Sequence, residues 1–387
     1  MYEKKELEIY IHIPFCVRKC QYCDFLSGPA DEDTKAQYME ALCQEIQEKS
    51  NQYREYEVTS IFFGGGTPTA VEAEALCKVL KVIKSSFIVR TEAEITIEMN
   101  PGMVKKDALV MYKNAGINRV SLGLQSTHDR ELQRLGRIHN YQQFQETYKL
   151  VRETGFVNVN IDLMSGLPKQ DLESYKESLE RVIHLNPPPE HISAYSLIVE
   201  EGTPFYEAYK KGELDLPQEE VEREMYYLTK NYLKEQGYER YEISNYAKPG
   251  RECIHNIGYW QRKNYVGFGV GAASLIENHR FSNGEDILEY LENPCKCVVN
   301  RQTLSMEEQM EEYMFLGLRM SCGVSQKEFY SCFGKTMKRV YGHVIQKHIR
   351  NGLLEGVVYE EEERIRLTDA GMDVSNLVMA DFLEPDL

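Results

Sequence analysis

Six times in its first half, this chain passes from a short β-rich run towards an amphipathic helical stretch, and that alternation limits the fold more than any other feature. The β-rich runs fall at residues 8–13, 60–63, 94–98, 118–122, 158–163 and 191–197. Between them, residues 34–52, 72–86, 105–114, 141–154 and 172–184 carry apolar side chains at intervals of three and four, the period of a helix with one buried face. Repeated strand–helix units predict a parallel sheet with right-handed crossovers. Eight such units close a full barrel. Six predict an α/β fold built on an open, partial (β/α)6 barrel, with a lateral gap for a large substrate and ligands gathered at the carboxyl ends of the strands.

The first strand runs directly into Cys16, Cys20 and Cys23, spaced C-x3-C-x2-C. Three thiolates on one short loop can hold three corners of a four-iron cluster, which ordinarily takes four cysteine ligands. No fourth cysteine follows nearby, so one iron would stay open to an outside ligand. A structural zinc site is the competing reading, but zinc takes four Cys or His ligands and this neighbourhood supplies too few. Incidental cysteines are the third reading.

The ends of the later strands carry polar groups in a fixed order. Gly64-Gly65-Gly66-Thr67 follows the second strand, Glu98 ends the third, Gln125 ends the fourth, Arg137 lies in the loop beyond, and Asp162 belongs to the fifth. Taken singly, a glycine run is an ordinary tight turn, and a lone carboxylate there is more often a cap or a solvated loop residue. As an ordered set after a three-cysteine loop they resemble the radical S-adenosylmethionine (SAM) proteins, and within them the oxygen-independent coproporphyrinogen III oxidase-like family, over nearly the whole chain.

That resemblance implies that Cys16, Cys20 and Cys23 ligate a [4Fe-4S] cluster whose free iron is chelated by SAM. It also implies that Tyr10, Tyr22, Gly65, Gly66, Thr67, Glu98, Gln125, Arg137 and Asp162 bind SAM. The residue types suit such roles: Arg137 can form a charge-assisted bond with a carboxylate, and Glu98 or Asp162 can accept from ribose hydroxyls or an amino group.

The second half offers His255-Asn256-Ile257-Gly258-Tyr259-Trp260, with the chain's single tryptophan. Alone, this run reads as a packed aromatic corner holding a hydrogen-bonded imidazole. It also resembles the H-N-x-x-Y-W motif of the family's heme-chaperone branch, which makes His255 a candidate heme-site residue, since His is a common axial ligand. Two further features favour that branch over the coproporphyrinogen III dehydrogenase. Phe25 stands where the dehydrogenase has one more cysteine, and only eight residues precede Ile9, where the dehydrogenase has a longer extension. The branch implies noncovalent heme and delivery of it to heme-requiring respiratory proteins. The alternative is radical oxidative decarboxylation of coproporphyrinogen III.

Three regions are expected: residues 1–210 as the barrel, 211–300 as a connecting segment with the His255 motif, and 301–387 as a smaller α+β, winged-helix-like cap. DNA binding by the cap is disfavoured, because Glu360 to Glu363 place four consecutive carboxylates at the wing tip and the whole chain carries a formal net charge of -16, whereas phosphate binding rewards clustered Lys and Arg. The N-terminus lacks an apolar signal core and no later run reaches ~20 apolar residues. The chain therefore reads as cytoplasmic, with reduced thiols, and the reading is compatible with a homodimer and with peripheral membrane contact. Cys43 and Cys77 suit packed interiors, while Cys253, Cys295, Cys297, Cys322 and Cys332 carry no assigned role.

Overall fold

A computed structural model describes residues 4–383. The six expected units form in order: β1 (Lys5–Ile13), α1 (Glu32–Lys49), β2 (Tyr56–Gly65), α2 (Ala73–Ser86), β3 (Val89–Met99), α3 (Lys106–Ala115), β4 (Arg119–Gln125), α4 (Asp129–Arg134), α5 (Tyr141–Glu153), β5 (Val159–Ser165), α6 (Leu172–Ile183) and β6 (His191–Ser196). Strands β1 to β6 are parallel neighbours in chain order. Their pleat sends successive side chains to opposite faces. On one face Ile9, Ile11, Ile61, Phe63, Ile95, Ile97, Val120 and Leu122 are buried in a core shared with Leu42, Leu80, Phe144 and Leu179 of the helices. The alternate positions, Glu8, Tyr10, His12, Ser60, Thr96, Glu98, Arg119, Asp162 and His191, carry polar groups to the concave face. A parallel sheet covered on both faces reads as continuous apolar runs, so this polar inner face marks a side built for something other than packing.

Downstream come α7 (Pro204–Lys210), α8 (Glu219–Glu235), β7 (Glu239–Arg240), β8 (Asn245–Ala247), α9 (Ile254–Trp260), β9 (Tyr265–Phe268), β10 (Ala273–Ile276), β11 (His279–Asn283), α10 (Ile287–Glu292) and β12 (Val298–Thr303). Their strands extend the same sheet at both edges, in the order β12-β11-β10-β9-β1-β2-β3-β4-β5-β6-β8-β7, and the two outermost strands do not pair with each other. The barrel is therefore open. β9 lies parallel to β1, whereas β10 to β12 form antiparallel hairpins beyond it. The segment expected to connect two domains thus supplies six strands of the main sheet. α9 seals the barrel floor: the Glu94 carboxylate accepts from the backbone N–H groups of Ile254 and His255, both at 3.3 Å.

The last part folds as α11 (Met306–Gly317), β13 (Val324–Ser325), α12 (Gln326–Phe333), α13 (Met337–Arg350), β14 (Leu354–Tyr359), β15 (Glu362–Leu367), α14 (Asp369–Asp373) and α15 (Ser375–Ala380). Strands β13-β15-β14 form a small antiparallel sheet over a second core that includes Met314, Phe329, Tyr341, Leu354 and Phe382. The wing turns at Glu360 and Glu361, both with left-handed backbone (φ 49° and 64°). This cap is tied to the barrel by Arg262 Nε donating to Glu312 at 2.8 Å and by the Ser321 N–H donating to the Tyr241 carbonyl at 2.9 Å. No described helix is long and apolar enough to cross a membrane.

Candidate cluster and SAM site

The cysteine loop leaves β1 and is pinned on several sides. The Cys16 N–H donates to Gly28 O (2.9 Å), the Gly28 N–H to Pro14 O (3.0 Å), and the Gln21 N–H to Leu135 O (3.0 Å). Arg18 Nη2 donates to Gly136 O at 2.6 Å. The buried His12 bridges the loop to the barrel, with Nε2 2.9 Å from Leu26 O and Nδ1 3.0 Å from the Tyr10 hydroxyl. All three thiols stay partly exposed at the barrel mouth. Burial pushes the Cys23 thiol up, and the neighbouring Cys20 and Cys16 push it further. Among the described residues, no three His, Cys, Asp or Glu side chains converge as a single metal ion would require. A cubic cluster gives each thiolate its own iron and does not ask for that convergence.

The glycine turn lies directly against this loop. Gly65 has φ 108°, and a Cβ there would stand 2.5 Å from the His12 ring. At Gly66 a Cβ would stand 2.6 Å from Phe15 O, because its N–H donates to Ile13 O at 2.8 Å. Backbone this close to the loop admits no side chain. Thr67 follows, with its N–H on Phe15 O (2.7 Å) and its hydroxyl 3.5 Å from Cys16 Sγ and 2.8 Å from Asn100 Nδ2.

Opposite these groups stands Arg137. Its Nη2 donates to Asn100 Oδ1 and Gly123 O, its Nη1 lies 3.7 Å from Cys20 Sγ, and its buried Nε has no partner. A buried guanidinium with an unspent donor beside a cysteine fits the carboxylate of a ligand chelated at a cluster. Asp162 accepts from Asn160 Nδ2 at 2.7 Å, and burial raises its carboxyl. Glu98 is pushed up to about 8 by burial and then by Asp162, with the Gly65 N–H and Arg119 pulling the other way. Gln125 holds a left-handed backbone (φ 72°) and accepts from the Tyr195 hydroxyl at 2.9 Å. Burial raises the phenol of Tyr22, which stands near Arg137, Cys20, Cys23 and Asp162. Tyr10 lies deeper, with Glu98 adding to the effect of burial on its phenol.

The three cysteines, Tyr10, Tyr22, Gly65, Gly66, Thr67, Glu98, Gln125, Arg137 and Asp162 thus meet at one end of the barrel. Sequence reasoning passed over His12, Asn100 and Tyr195, which orient these groups. Their signal was available: each points inward at or near the carboxyl end of a strand. His255 does not join them. It is 1% exposed on the barrel floor, with Nδ1 2.8 Å from Ser60 Oγ and Nε2 3.1 Å from the Tyr259 hydroxyl. It stacks on Phe62 at 5.1 Å, and burial drives its imidazole down to about 3. Both nitrogens are engaged inside the protein, so the geometry is that of the packed corner and not of a ring free to take an iron.

Comparison with known proteins agrees with this architecture. The Radical SAM superfamily profile matches residues 10–182, and the HemN C-terminal domain profile matches residues 304–374. The heme chaperone HemW of Bacillus subtilis (strain 168) is 37% identical over 383 residues, spanning 97% of this chain and 98% of that protein. The heme chaperone HemW of Lactococcus lactis subsp. lactis (strain IL1403) is 34% identical over 385 residues, covering 99% of each. Among solved structures, the radical SAM coproporphyrinogen III oxidase (HemN) from Escherichia coli superposes with a TM-score of 0.84 over 98% of this chain and 90% of that one, at 23% identity, a likeness of fold. With its full length shared with these relatives and its barrel and cap both matched, the chain belongs to the HemW family of radical SAM proteins.

Proposed function

We infer that this protein is a heme chaperone, binding heme noncovalently and handing it to heme-requiring proteins, respiratory ones among them. The observation that carries this reading is the likeness to heme chaperones along the whole chain, barrel and cap together. The loop supports it: Phe25, 63% exposed, occupies the place where the dehydrogenase carries a further cysteine. On this reading Cys16, Cys20 and Cys23 hold a [4Fe-4S] cluster, which supplies a redox centre with one iron open to the methionine moiety of SAM. Arg137 binds the SAM carboxylate, the backbone at Gly65, Gly66 and Thr67 receives its amino group, and Glu98 and Asp162 accept from its ribose and amino donors. Tyr10, Tyr22 and Gln125 shape the remaining walls. The setting is cytoplasmic, with acceptors that include membrane-bound proteins approached from that side, and a homodimer is compatible with it.

The test is anaerobic reconstitution followed by two assays. A hemin titration should raise a Soret band that denaturation removes, and coproporphyrinogen III with SAM and reductant should give no protoporphyrinogen above a cluster-free control. Cys20→Ala should remove most of the iron and sulfide. Robust protoporphyrinogen formation would overturn the chaperone reading in favour of the dehydrogenase.

A further inference from the structure

A cleft of about 540 Å³ opens between the last turn of α1 and the β10–β12 ribbon at the sheet edge, far from the cluster end of the barrel. Its size falls within the roughly 300–1,000 Å³ of ligand pockets. Tyr53, Ile276 and Phe281 provide apolar wall, while His279, Cys295 and Arg301 provide polar groups. The imidazole of His279 is set for a metal. Its Nδ1 lies 3.1 Å from Glu277 O and 3.3 Å from Ile276 O. Carbonyls only accept, so Nδ1 carries the proton and the Nε2 lone pair is left free, the arrangement that orients metal-ligating histidines.

The charges around the cleft are spent unevenly. Lys49 is paired with Glu45 at 2.6 Å and Arg280 with Glu312 at 2.7 Å. Arg301, brought to the cleft by the left-handed Asn300 (φ 54°) in an irregular stretch of the β11–β12 pairing, has no hydrogen bond or ion pair among the described residues. Its charge is felt at Tyr53, whose phenol burial otherwise pushes up to about 12. The thiol of Cys295 is held protonated, pushed up to about 12 by burial and then by Glu48, which disfavours it as the metal-binding group.

Resting on the heme-chaperone reading, we propose that this cleft is the heme site: His279 Nε2 binds the iron, Tyr53 and Phe281 cover the porphyrin, and Arg301 pairs with a propionate. The ligand class is an iron porphyrin dicarboxylate, which matches an imidazole, an apolar wall and an unspent cation in one cleft. Open to solvent and lined by an exposed edge strand, the site suits a cargo that must leave again.

The test is titration of the full-length, cluster-loaded protein with hemin and, in parallel, with metal-free protoporphyrin IX. His279→Leu should shift the ferric Soret band and weaken hemin binding about tenfold or more, while protoporphyrin IX, which has no iron to lose, binds as before. In His279→Gly, free imidazole should restore the band position. Arg301→Gln should weaken both porphyrins severalfold and leave band positions alone, as loss of a charge-assisted bond requires. Hemin binding by the unmodified protein with unchanged Soret band and affinity in both His279→Leu and Arg301→Gln overturns this site and leaves the chaperone reading standing. No heme binding by the unmodified protein overturns that reading, and the site with it.

Discussion

At the scale of single residues, burial decides the charge of groups whose types the sequence already displays. Glu98 is a carboxyl that stays protonated until about pH 8, because the barrel desolvates it and Asp162 stands beside it. SAM is cationic at its sulfonium, so it should prefer the ionised form and its binding should release the Glu98 proton. Measured by calorimetry or by the reduced-cluster spectrum, SAM affinity should rise with pH, by up to about tenfold per unit, until about pH 8. Glu98→Gln should flatten that profile relative to the unmodified protein and leave the cluster in place. His255 works in the other direction. Its pKa is near 6.5 when unfolded but about 3 in the fold. Between those values the unfolded chain takes a proton that the folded one excludes, so its share of stability is complete above pH 6.5 and is lost as pH falls towards 3. The loss is up to about 1.4 kcal/mol per pH unit. Urea unfolding from pH 7 to 4.5 should show a slope smaller by up to one proton in His255→Gln, once its lower stability at pH 7 is allowed for.

At the scale of elements, α9 is the piece whose role depends on fit. A Cβ at Gly258 would stand 2.0 Å from Glu8 Oε1, and Glu8 is fully buried with neither oxygen partnered. Gly258→Ala should therefore destabilise the protein by about 1–3 kcal/mol, the usual cost of overpacking. Adding Glu8→Ala should return part of that loss, and denaturant unfolding of the two single variants and the double variant checks it. From α9 a column of rings leads to the cluster loop. His255 stacks on Phe62 at 5.1 Å and Phe62 on Tyr10 at 6.4 Å, while the Tyr10 hydroxyl meets His12, which holds Leu26 O. At the far end of the column Gly66 backs onto Phe15 O. Gly66→Ala should displace the loop and lower iron and sulfide per chain, with far-UV circular dichroism unchanged.

At the scale of the whole molecule, cap and barrel are joined through one carboxylate. Glu312 is 5% exposed and accepts from Arg262 and Arg280, both of the barrel side, at 2.8 and 2.7 Å. Losing one member of a buried pair costs roughly 3–5 kcal/mol. The half-exposed Arg280 reduces that here, so Glu312→Gln should destabilise by roughly 2–3 kcal/mol. Calorimetry should then show the cap melting ahead of the barrel, instead of one joint transition.

The sequence by itself determined the six strand–helix units and the chemistry at their carboxyl ends, because both are written locally: a period of two or of 3.6 residues, and the spacing of Cys16, Cys20 and Cys23. It also displayed the order Gly65, Glu98, Gln125, Arg137, Asp162, although not the distances among them. Only the tertiary structure decided what residues 211–300 do. Strands β7 to β12 are two to six residues long, too short to show a period, and their partners lie far away in the chain. The same long-range pairing put His255 on the floor and not at the mouth, with Ser60 and Tyr259 engaging both nitrogens. It also set His279 and Arg301 against Tyr53, more than 200 positions away in the chain. A residue's type states which chemistry it can perform; which groups surround it, and whether water reaches it, depends on pairings that no local window contains.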